Sequence, residues 1–250
     1  MPHGSELLFA AGGGDALVGA VEYSDYPEAA LAVPRVGGYS GIHIEHVIAL
    51  KPQLILVWPE GNQRRELEQL KRLGYRLFVS GPQTYDDIAR NIERLGELTG
   101  HRETASQVAN DLRERVQLLR ERYQQQTPLT VFYQVWHQPL MTQNGNTFIS
   151  QAISLCGGIN VYADLPMQSP QISLESVLLA NPDVIVASGM GESRPDWLDD
   201  WRRYGQLKAV RSESLYHIHP DLFHRPTPRF LLGTEQLCSA LQQTRKRLAL

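Results

Sequence analysis

The stretch 44–57, with the sequence IEHVIALKPQLILV, recurs further along the chain as the stretch 174–187, with the sequence LESVLLANPDVIVA. At one constant offset the two stretches share a glutamate, a valine, a proline and an isoleucine, and their apolar positions match. Each predicts a short helix, a proline that ends it and a buried parallel strand. The repetition favours two related lobes, although two common helix–proline–strand units can also resemble each other by chance.

Short apolar runs alternate with amphipathic segments along most of the chain, which is typical of parallel α/β units. The helical spacing of leucines predicts one helix over 62–73, and another is predicted over 86–99. The apolar runs that predict strands are 17–23, 54–58, 76–80, 130–136, 183–188 and 214–219.

One segment, 102–125, breaks this alternation because its apolar residues recur every three or four positions without interruption. That spacing predicts a single helix of roughly 36 Å, and Gly100 before it closes the preceding helix. We therefore predict an α/β fold of two similar lobes with central parallel sheets, joined by one long rigid helix. The expected boundaries are 1–100 for the first lobe, 101–126 for the helix and 127–250 for the second lobe.

The composition of the chain excludes several classes of protein. Its 250 residues carry a net charge of −3, whereas a nucleic-acid-binding protein usually presents a basic face. No apolar run approaches the roughly 20 residues that span a bilayer, and no secretory signal is visible. The sequence has no nucleophile elbow, phosphate loop or zinc-binding HExxH helix, so we do not expect an enzyme. A nitrogenase-like α/β enzyme would need more cysteine ligands than the two present.

Four polar residues near the end of the last predicted strand permit a metal-site hypothesis. His217 and His219 lie on one face of that strand, and Asp221 and His224 follow in the next loop. Imidazole and carboxylate ligands of this kind suit zinc or manganese. The alternative is that the strand simply ends in a polar loop.

Large aromatic residues follow several of the predicted strands, and Tyr23, Tyr39, Trp58 and Trp136 are the clearest cases. Ligands of open α/β sheets bind outside the carboxyl ends of the strands. Rings at these places suit a broad, flat and partly apolar ligand held between the two lobes.

The two cysteines, Cys156 and Cys238, are far apart in the sequence and form no CxxC motif. Their spacing is consistent with two buried thiols. It is equally consistent with one disulfide, which would place the chain in an oxidising compartment.

Several motifs together resemble the helical-backbone family of periplasmic binding proteins, and within it the cobalamin-binding branch. Those motifs are the segment from Ser5 to Gly12, Tyr-Ser-Asp-Tyr-Pro at 23–27, the segment 45–52, Cys-Gly-Gly at 156–158, Pro-Gln-Ile-Ser at 170–173 and the segment 225–238. The resemblance implies a periplasmic, monomeric carrier that captures cobalamin between its lobes and delivers it to an ABC permease with its ATPase subunits. Neither catalysis nor a resident cofactor is implied. Haem or a ferric siderophore is the alternative ligand, and a bare metal ion is a more remote one.

The resemblance also implies roles for individual residues. Tyr23, Tyr39 and Trp58 match residues of the first lobe that line the corrinoid cleft, and Asp221 and Arg225 match polar cleft residues of the second lobe. Cys156 and Cys238 match a disulfide pair. Glu45 and Glu175 match two glutamates that dock onto arginines of the permease.

Other positions depart from the family pattern. Ser169 and Met141 stand where the family has cleft aromatic residues, and Trp136 is expected to compensate for the lost ring. His137 is expected to approach the metal of a corrinoid or haem. The family also has a signal peptide and a first strand before the segment that begins at Ser5, so we expect a truncated or misassigned start.

Overall fold

Parallel strands alternate with helices in the computed structural model of this chain, which describes residues 1–189 and 194–250. The α/β fold class is therefore as predicted. Contacts divide the chain into two units, Met1–Arg113 (unit 1) and Glu114–Leu250 (unit 2).

Unit 1 contains short strands and four helices. The strands are β1 (Gly37–Gly38), β2 (Gly41–Ile42), β3 (Ile55–Val57) and β4 (Leu77–Val79), and the helices are α1 (Pro2–Ala10), α2 (Ile44–Leu50), α3 (Arg64–Arg72) and α4 (Tyr85–Thr99). The strands β3 and β4 pair in parallel, as the sequence predicts, and β1 pairs with β2 in antiparallel fashion. A capping box between Thr84 and Asp87 begins α4, and Gly100 ends it in the left-handed conformation at φ 79°, where glycine carries no steric penalty.

The predicted strand at 17–23 is wrong. A 3₁₀ turn occupies Gly14–Ala16, and the extended segment after it makes a single parallel bridge, from Ala20 to Arg35. The extended conformation then ends at Tyr23, whose φ of 62° is left-handed. The apolar side chains of this segment instead line a cavity of about 540 Å³ in unit 1, together with residues of α1, β3 and α4.

The long helix, α5, runs over Arg102–Tyr123 and is two residues shorter at its C-terminal end than predicted. Its apolar side is buried: the side chains of Ala105, Ala109, Leu112, Val116 and Tyr123 are at most 7% exposed. The boundary between the two units falls inside this helix, after Arg113.

Unit 2 is built on a four-stranded, wholly parallel sheet. Its strands are β5 (Leu129–Gln134), β8 (Gly158–Asn160), β9 (Val184–Ala187) and β10 (Leu215–His217), and their order across the sheet is β10-β9-β5-β8. A hairpin follows β5 as β6 (Trp136–His137) and β7 (Leu140–Met141). The helices are α6 (Phe148–Leu155), α7 (Leu174–Ala180), α8 (Lys208–Arg211), α9 (Pro220–Phe223) and α10 (Pro228–Leu248). All four residues of β9 are buried, because helices cover parallel sheets and leave their strands apolar throughout.

The sequence repeat corresponds to a repeated structure. The helices α2 and α7 begin and end at equivalent positions of the two stretches, and each ends at a left-handed residue, Lys51 at φ 47° and Asn181 at φ 43°. A proline follows each of these residues, and β3 and β9 come after the prolines. Each repeat is therefore one helix–turn–strand unit, as predicted.

Two buried interactions attach α10 to the rest of unit 2. Cys156, at the end of α6, forms a disulfide with Cys238 of α10, and neither cysteine is exposed. Arg245, only 1% exposed, donates hydrogen bonds to the carbonyl oxygens of Thr127, Cys156 and Gly157 at 2.8 to 3.0 Å. The disulfide implied by the resemblance is thus present in the structure.

We expect replacement of both cysteines by alanine to lower the free energy of unfolding by about 2–4 kcal/mol, because the bridge closes a long loop and restricts the unfolded chain. The loop spans 82 residues. Urea denaturation of the oxidised protein and of the double variant would measure the difference. A reducing agent should bring the parent protein to the stability of the variant and leave the variant unchanged. Equal midpoints for the oxidised parent and the variant would contradict the prediction.

Candidate ligand-binding site

The hairpin after β5 brings two of the predicted site residues together. In the β6–β7 pairing, Trp136 lies opposite Met141 and His137 lies opposite Leu140. The turn between the strands contains Gln138 and Pro139. Because Trp136 and Met141 are direct cross-strand neighbours, their side chains lie on the same face of the hairpin.

A third chain segment lies beside β7. Met141 forms a bridge with Gln171, the amide of Thr142 donates to the carbonyl of Pro170 at 3.1 Å, and that of Ile172 donates to Leu140 at 2.9 Å. Ser169 immediately precedes this paired segment and is exposed. The structure therefore places Trp136, Met141 and the segment that carries Ser169 on one small surface of unit 2.

His137 is held between two indole rings. Its imidazole stacks on Trp197 with ring centroids 5.4 Å apart and an interplanar angle of 11°, and it contacts Trp136 at 5.3 Å with an angle of 55°. The three rings are half-buried. The sequence analysis did not identify Trp197, because the residue lies in the 3₁₀ helix Asp196–Arg203, about sixty positions from its ring partner.

Gln134, at the end of β5, positions this group of rings. The residue is 2% exposed. Its side-chain oxygen Oε1 accepts a hydrogen bond from Nε1 of Trp201 at 2.7 Å, and its side-chain nitrogen Nε2 donates to the carbonyl of Trp136 at 3.5 Å. Trp201 also packs against Phe132, two residues earlier in β5, with centroids 5.7 Å apart. One face of β5 therefore supports both the hairpin and the 3₁₀ helix that carries Trp197.

The polar residues predicted for unit 2 form a cluster around Asp221. Nη2 of Arg225 lies 2.8 Å from Oδ1 of Asp221, and Nη2 of Arg229 lies 3.9 Å from Oδ2. His219 accepts a hydrogen bond from the amide of Asp221 at 3.2 Å. The structure therefore brings Asp221 and Arg225 together and adds Arg229, which the sequence analysis had not singled out as a site residue.

The hypothesis of a metal site at these histidines does not find support in the structure. His224 bonds through Nε2 to the hydroxyl of the buried Tyr133 at 2.7 Å, and Nε2 of His217 lies 3.2 Å from the carbonyl oxygen of Ser188. Across residues 1–189 and 194–250, no three histidine, cysteine, aspartate or glutamate side chains are grouped so as to hold a metal ion. Loss of hydration around the ring lowers the pKa of His224 to about 4, while the charge of Asp221 opposes this shift.

In unit 1, the three predicted aromatic residues present much of their surface to solvent. Tyr39 is fully exposed, Tyr23 is 70% exposed and Trp58 is 38% exposed. Trp58 is the most constrained of them, because its ring contacts that of His3 edge-on at 5.5 Å and its amide donates to Oδ1 of Asn62 at 2.8 Å. These rings are available to a ligand that covers them.

Glu45 and Glu175 occupy the same position in α2 and α7, within the first turn of each helix, and both are exposed. The hydrogen bond from the backbone amide of Glu175, together with the one from the Ser173 side chain, lowers the pKa of the Glu175 carboxyl group. Leu179, one turn further along α7, is 88% exposed. Each unit thus presents an equivalent carboxylate at the start of a short helix.

The sequence matches a known family over most of its length. The family model described as "Periplasmic binding protein" matches residues 2–222. The chain belongs to the periplasmic binding protein family. A member from Vibrio cholerae serotype O1, named vitamin B12-binding protein, is 40% identical over 245 residues, which are 98% of this chain and 88% of that protein.

Solved structures of other proteins show the same fold. The crystal structure of the periplasmic vitamin B12-binding protein of Vibrio cholerae matches with a TM-score of 0.89 and 39% identity, over 98% of this chain and 96% of that one. A periplasmic haem-binding protein from Roseiflexus matches with a TM-score of 0.83 and 21% identity, over 96% of this chain and 95% of that one. The second likeness shows a shared fold alone. In the described part of this periplasmic binding protein, every helix is too short or too polar to cross a membrane.

The lowered pKa of His224 predicts a loss of stability in acid. The unfolded chain takes up a proton at this histidine as the pH falls below about 6.5, whereas the folded chain does so only near pH 4, so the free energy of unfolding falls across that window. We expect His224→Gln to remove about 1 kcal/mol of this pH dependence. This is less than the full pKa shift would give, because the residue is partly open to solvent and water weakens the effect. Urea denaturation of both proteins between pH 7 and pH 4 measures it. Parallel pH profiles for the two proteins would contradict the assignment.

Proposed function

We propose that this periplasmic binding protein captures cobalamin and delivers it to the permease of an ABC importer. The observation that carries the proposal is the similarity described above to vitamin B12-binding proteins along nearly the whole chain. The group of rings around His137 supports it, because a corrinoid is broad and flat and presents apolar faces to aromatic side chains.

The ligand contacts proposed for unit 2 divide into two kinds. Trp136 and Met141, with Ser169 beside them, form the apolar contact at the hairpin. Asp221 and Arg225, already paired at 2.8 Å, offer an acceptor and several donors, which suits the amide groups around a corrin ring. In unit 1, Tyr23, Tyr39 and Trp58 supply further ring contacts.

Haem is the second candidate ligand. Arg225 and Arg229 both approach Asp221, and paired arginines also suit the propionate groups of haem. His137 likewise suits either a cobalt or an iron tetrapyrrole. Because the haem-binding neighbour shares little sequence with this chain, we place cobalamin first.

We infer that the protein works in the periplasm as a monomeric carrier, without catalysis and without a resident cofactor. A buried disulfide supports an oxidising compartment. The family consists of periplasmic binding proteins, which supports a carrier rather than an enzyme.

We infer that Glu45 and Glu175 dock the loaded protein onto its permease. Two exposed carboxylates at equivalent positions of repeated helices suit a partner that is itself built from two equivalent subunits. Arginines on that partner would fix orientation through charge-assisted hydrogen bonds. The exposed Leu179 adds an apolar contact beside one of the two carboxylates.

We expect cyanocobalamin to bind stoichiometrically and tightly in isothermal titration calorimetry. Trp136→Ala should weaken binding by about tenfold to a hundredfold, because truncating an aromatic contact residue removes about 1.4–2.8 kcal/mol of binding free energy. Trp58→Ala tests unit 1 in the same way. Trp201→Phe is the matched control, because it disturbs the support beneath the hairpin without removing a proposed ligand contact. If titration with haemin released binding heat and titration with cyanocobalamin did not, the assignment as a carrier would stand and cobalamin would be excluded as its ligand.

Charge reversal at the two glutamates tests the docking step. We expect the double variant Glu45→Arg, Glu175→Arg to bind cobalamin like the parent, because neither residue belongs to the proposed ligand contacts. Uptake of labelled cobalamin by cells that produce only this variant should fall by about tenfold or more, as expected when like charges replace complementary ones. Glu103→Arg, at an exposed position of α5, is the control for added positive charge. Normal uptake with the double variant would exclude docking through these residues.

A further inference from the structure

A tight turn over residues 58–62 begins at Trp58, the aromatic residue that follows β3. Both backbone groups of Trp58 are bonded within this turn. Its amide donates to Oδ1 of Asn62 at 2.8 Å, and its carbonyl oxygen accepts from the amides of Gly61 and Asn62 at 3.0 and 2.8 Å. The backbone that carries the indole is therefore fixed before any ligand arrives.

The indole of Trp58 lies against Gly61. A β-carbon added to Gly61 would come within 2.2 Å of Cε3 and 2.4 Å of Cζ3 of that ring, whereas carbon atoms in van der Waals contact are about 3.5–4.0 Å apart. The ring already occupies the space that a side chain at position 61 would need.

The turn itself does not require glycine at position 61. The backbone of Gly61 lies outside the left-handed region that favours glycine. The residue is also exposed, so burial does not exclude a larger side chain there. The nearby indole is the feature that excludes one.

His3 limits where the indole can move. Its imidazole meets the indole edge-on, with ring centroids 5.5 Å apart. His3 is only 4% exposed, and its Nε2 lies 3.4 Å from the carbonyl oxygen of Ser80. Because this imidazole is buried and held, the direction open to a displaced indole is toward solvent, where 38% of Trp58 is exposed.

We propose that Gly61 is a positioning residue for ligand binding, because its missing side chain lets the indole of Trp58 rest on the 58–62 turn with its open side toward the ligand. This inference rests on the proposed function and deepens it, since Trp58 is one of the ring contacts proposed for cobalamin. Trp58 follows β3 at the carboxyl end of the strand, where open α/β sheets bind ligands. A ring that is already in place loses less freedom when a ligand covers it.

A double-mutant cycle on Gly61 and Trp58 tests the proposal by isothermal titration with cyanocobalamin. We expect Gly61→Ala to weaken binding by about tenfold, because the added methyl group displaces the indole from its place on the turn. In the Trp58→Ala background the same methyl group meets no ring. Adding Gly61→Ala there should change the Kd by less than about twofold.

Two controls separate positioning from general damage. Gly205→Ala, at an exposed glycine where an added β-carbon meets no atom within 4 Å, should bind cyanocobalamin like the parent. In NMR spectra of the isotope-labelled, ligand-free proteins, the indole N–H signal of Trp58 is the one that Trp58→Ala lacks. We expect Gly61→Ala to shift this signal and Gly205→Ala to leave it in place.

The outcomes distinguish this inference from the proposed function. If Gly61→Ala bound cyanocobalamin with the affinity of the parent, or left the indole signal unshifted, the inference would be overturned and the carrier assignment would stand. An equal loss of affinity in the parent and in the Trp58→Ala background would also overturn it, since the effect would not pass through the indole. Failure of the parent itself to bind cyanocobalamin would overturn both proposals together.

Discussion

Parallel pairing of β5 with β9 is the interaction on which the described site of unit 2 depends. The register sets Phe132 opposite Ile185 and Gln134 opposite Ala187, so the two strands end level with each other. Phe132 and Gln134 then lie on one face of β5 and contact Trp201 together. A slip of one residue would turn both to the opposite face. The hairpin and the 3₁₀ helix would then lose their common support, and the rings around His137 would no longer meet.

Much of this architecture is predictable because it follows from local chemistry. The repeat predicts two helix–turn–strand units, since a proline after the first turn ends a helix and a run of branched apolar residues suits a covered parallel strand. The structure adds that Lys51 and Asn181 both adopt the left-handed conformation just before those prolines. The disulfide between Cys156 and Cys238 came from resemblance, because spacing alone left the pairing open. The placement of Asp221 beside Arg225 is likewise short-range, four residues apart along the chain.

The features that were missed depend on contacts between distant residues. An apolar run at 17–23 suits a strand, but a ladder requires a partner along its whole length. Here the segment makes one isolated bridge, from Ala20 to Arg35, and one further hydrogen bond, from the amide of Glu22 to the carbonyl of Gly37. Trp197 meets His137 only after the chain has passed through α6, α7 and two strands of the sheet. Gln134 ends a buried strand, where sequence patterns predict an apolar residue. Its role emerges once the partners of its amide are known.

The helix α5 has a consequence for how the molecule melts. Its first turns bury Ala105 and Ala109 within unit 1 and its last turns bury Val116 and Tyr123 within unit 2. A helix of this length is marginal in water once its buried face is exposed. Unfolding of either unit therefore exposes the buried side of half of α5. The helical hydrogen bonds that continue into the other half are then weakened. The hydrogen bonds in the middle of α5 are therefore the ones that depend on the packing of both units.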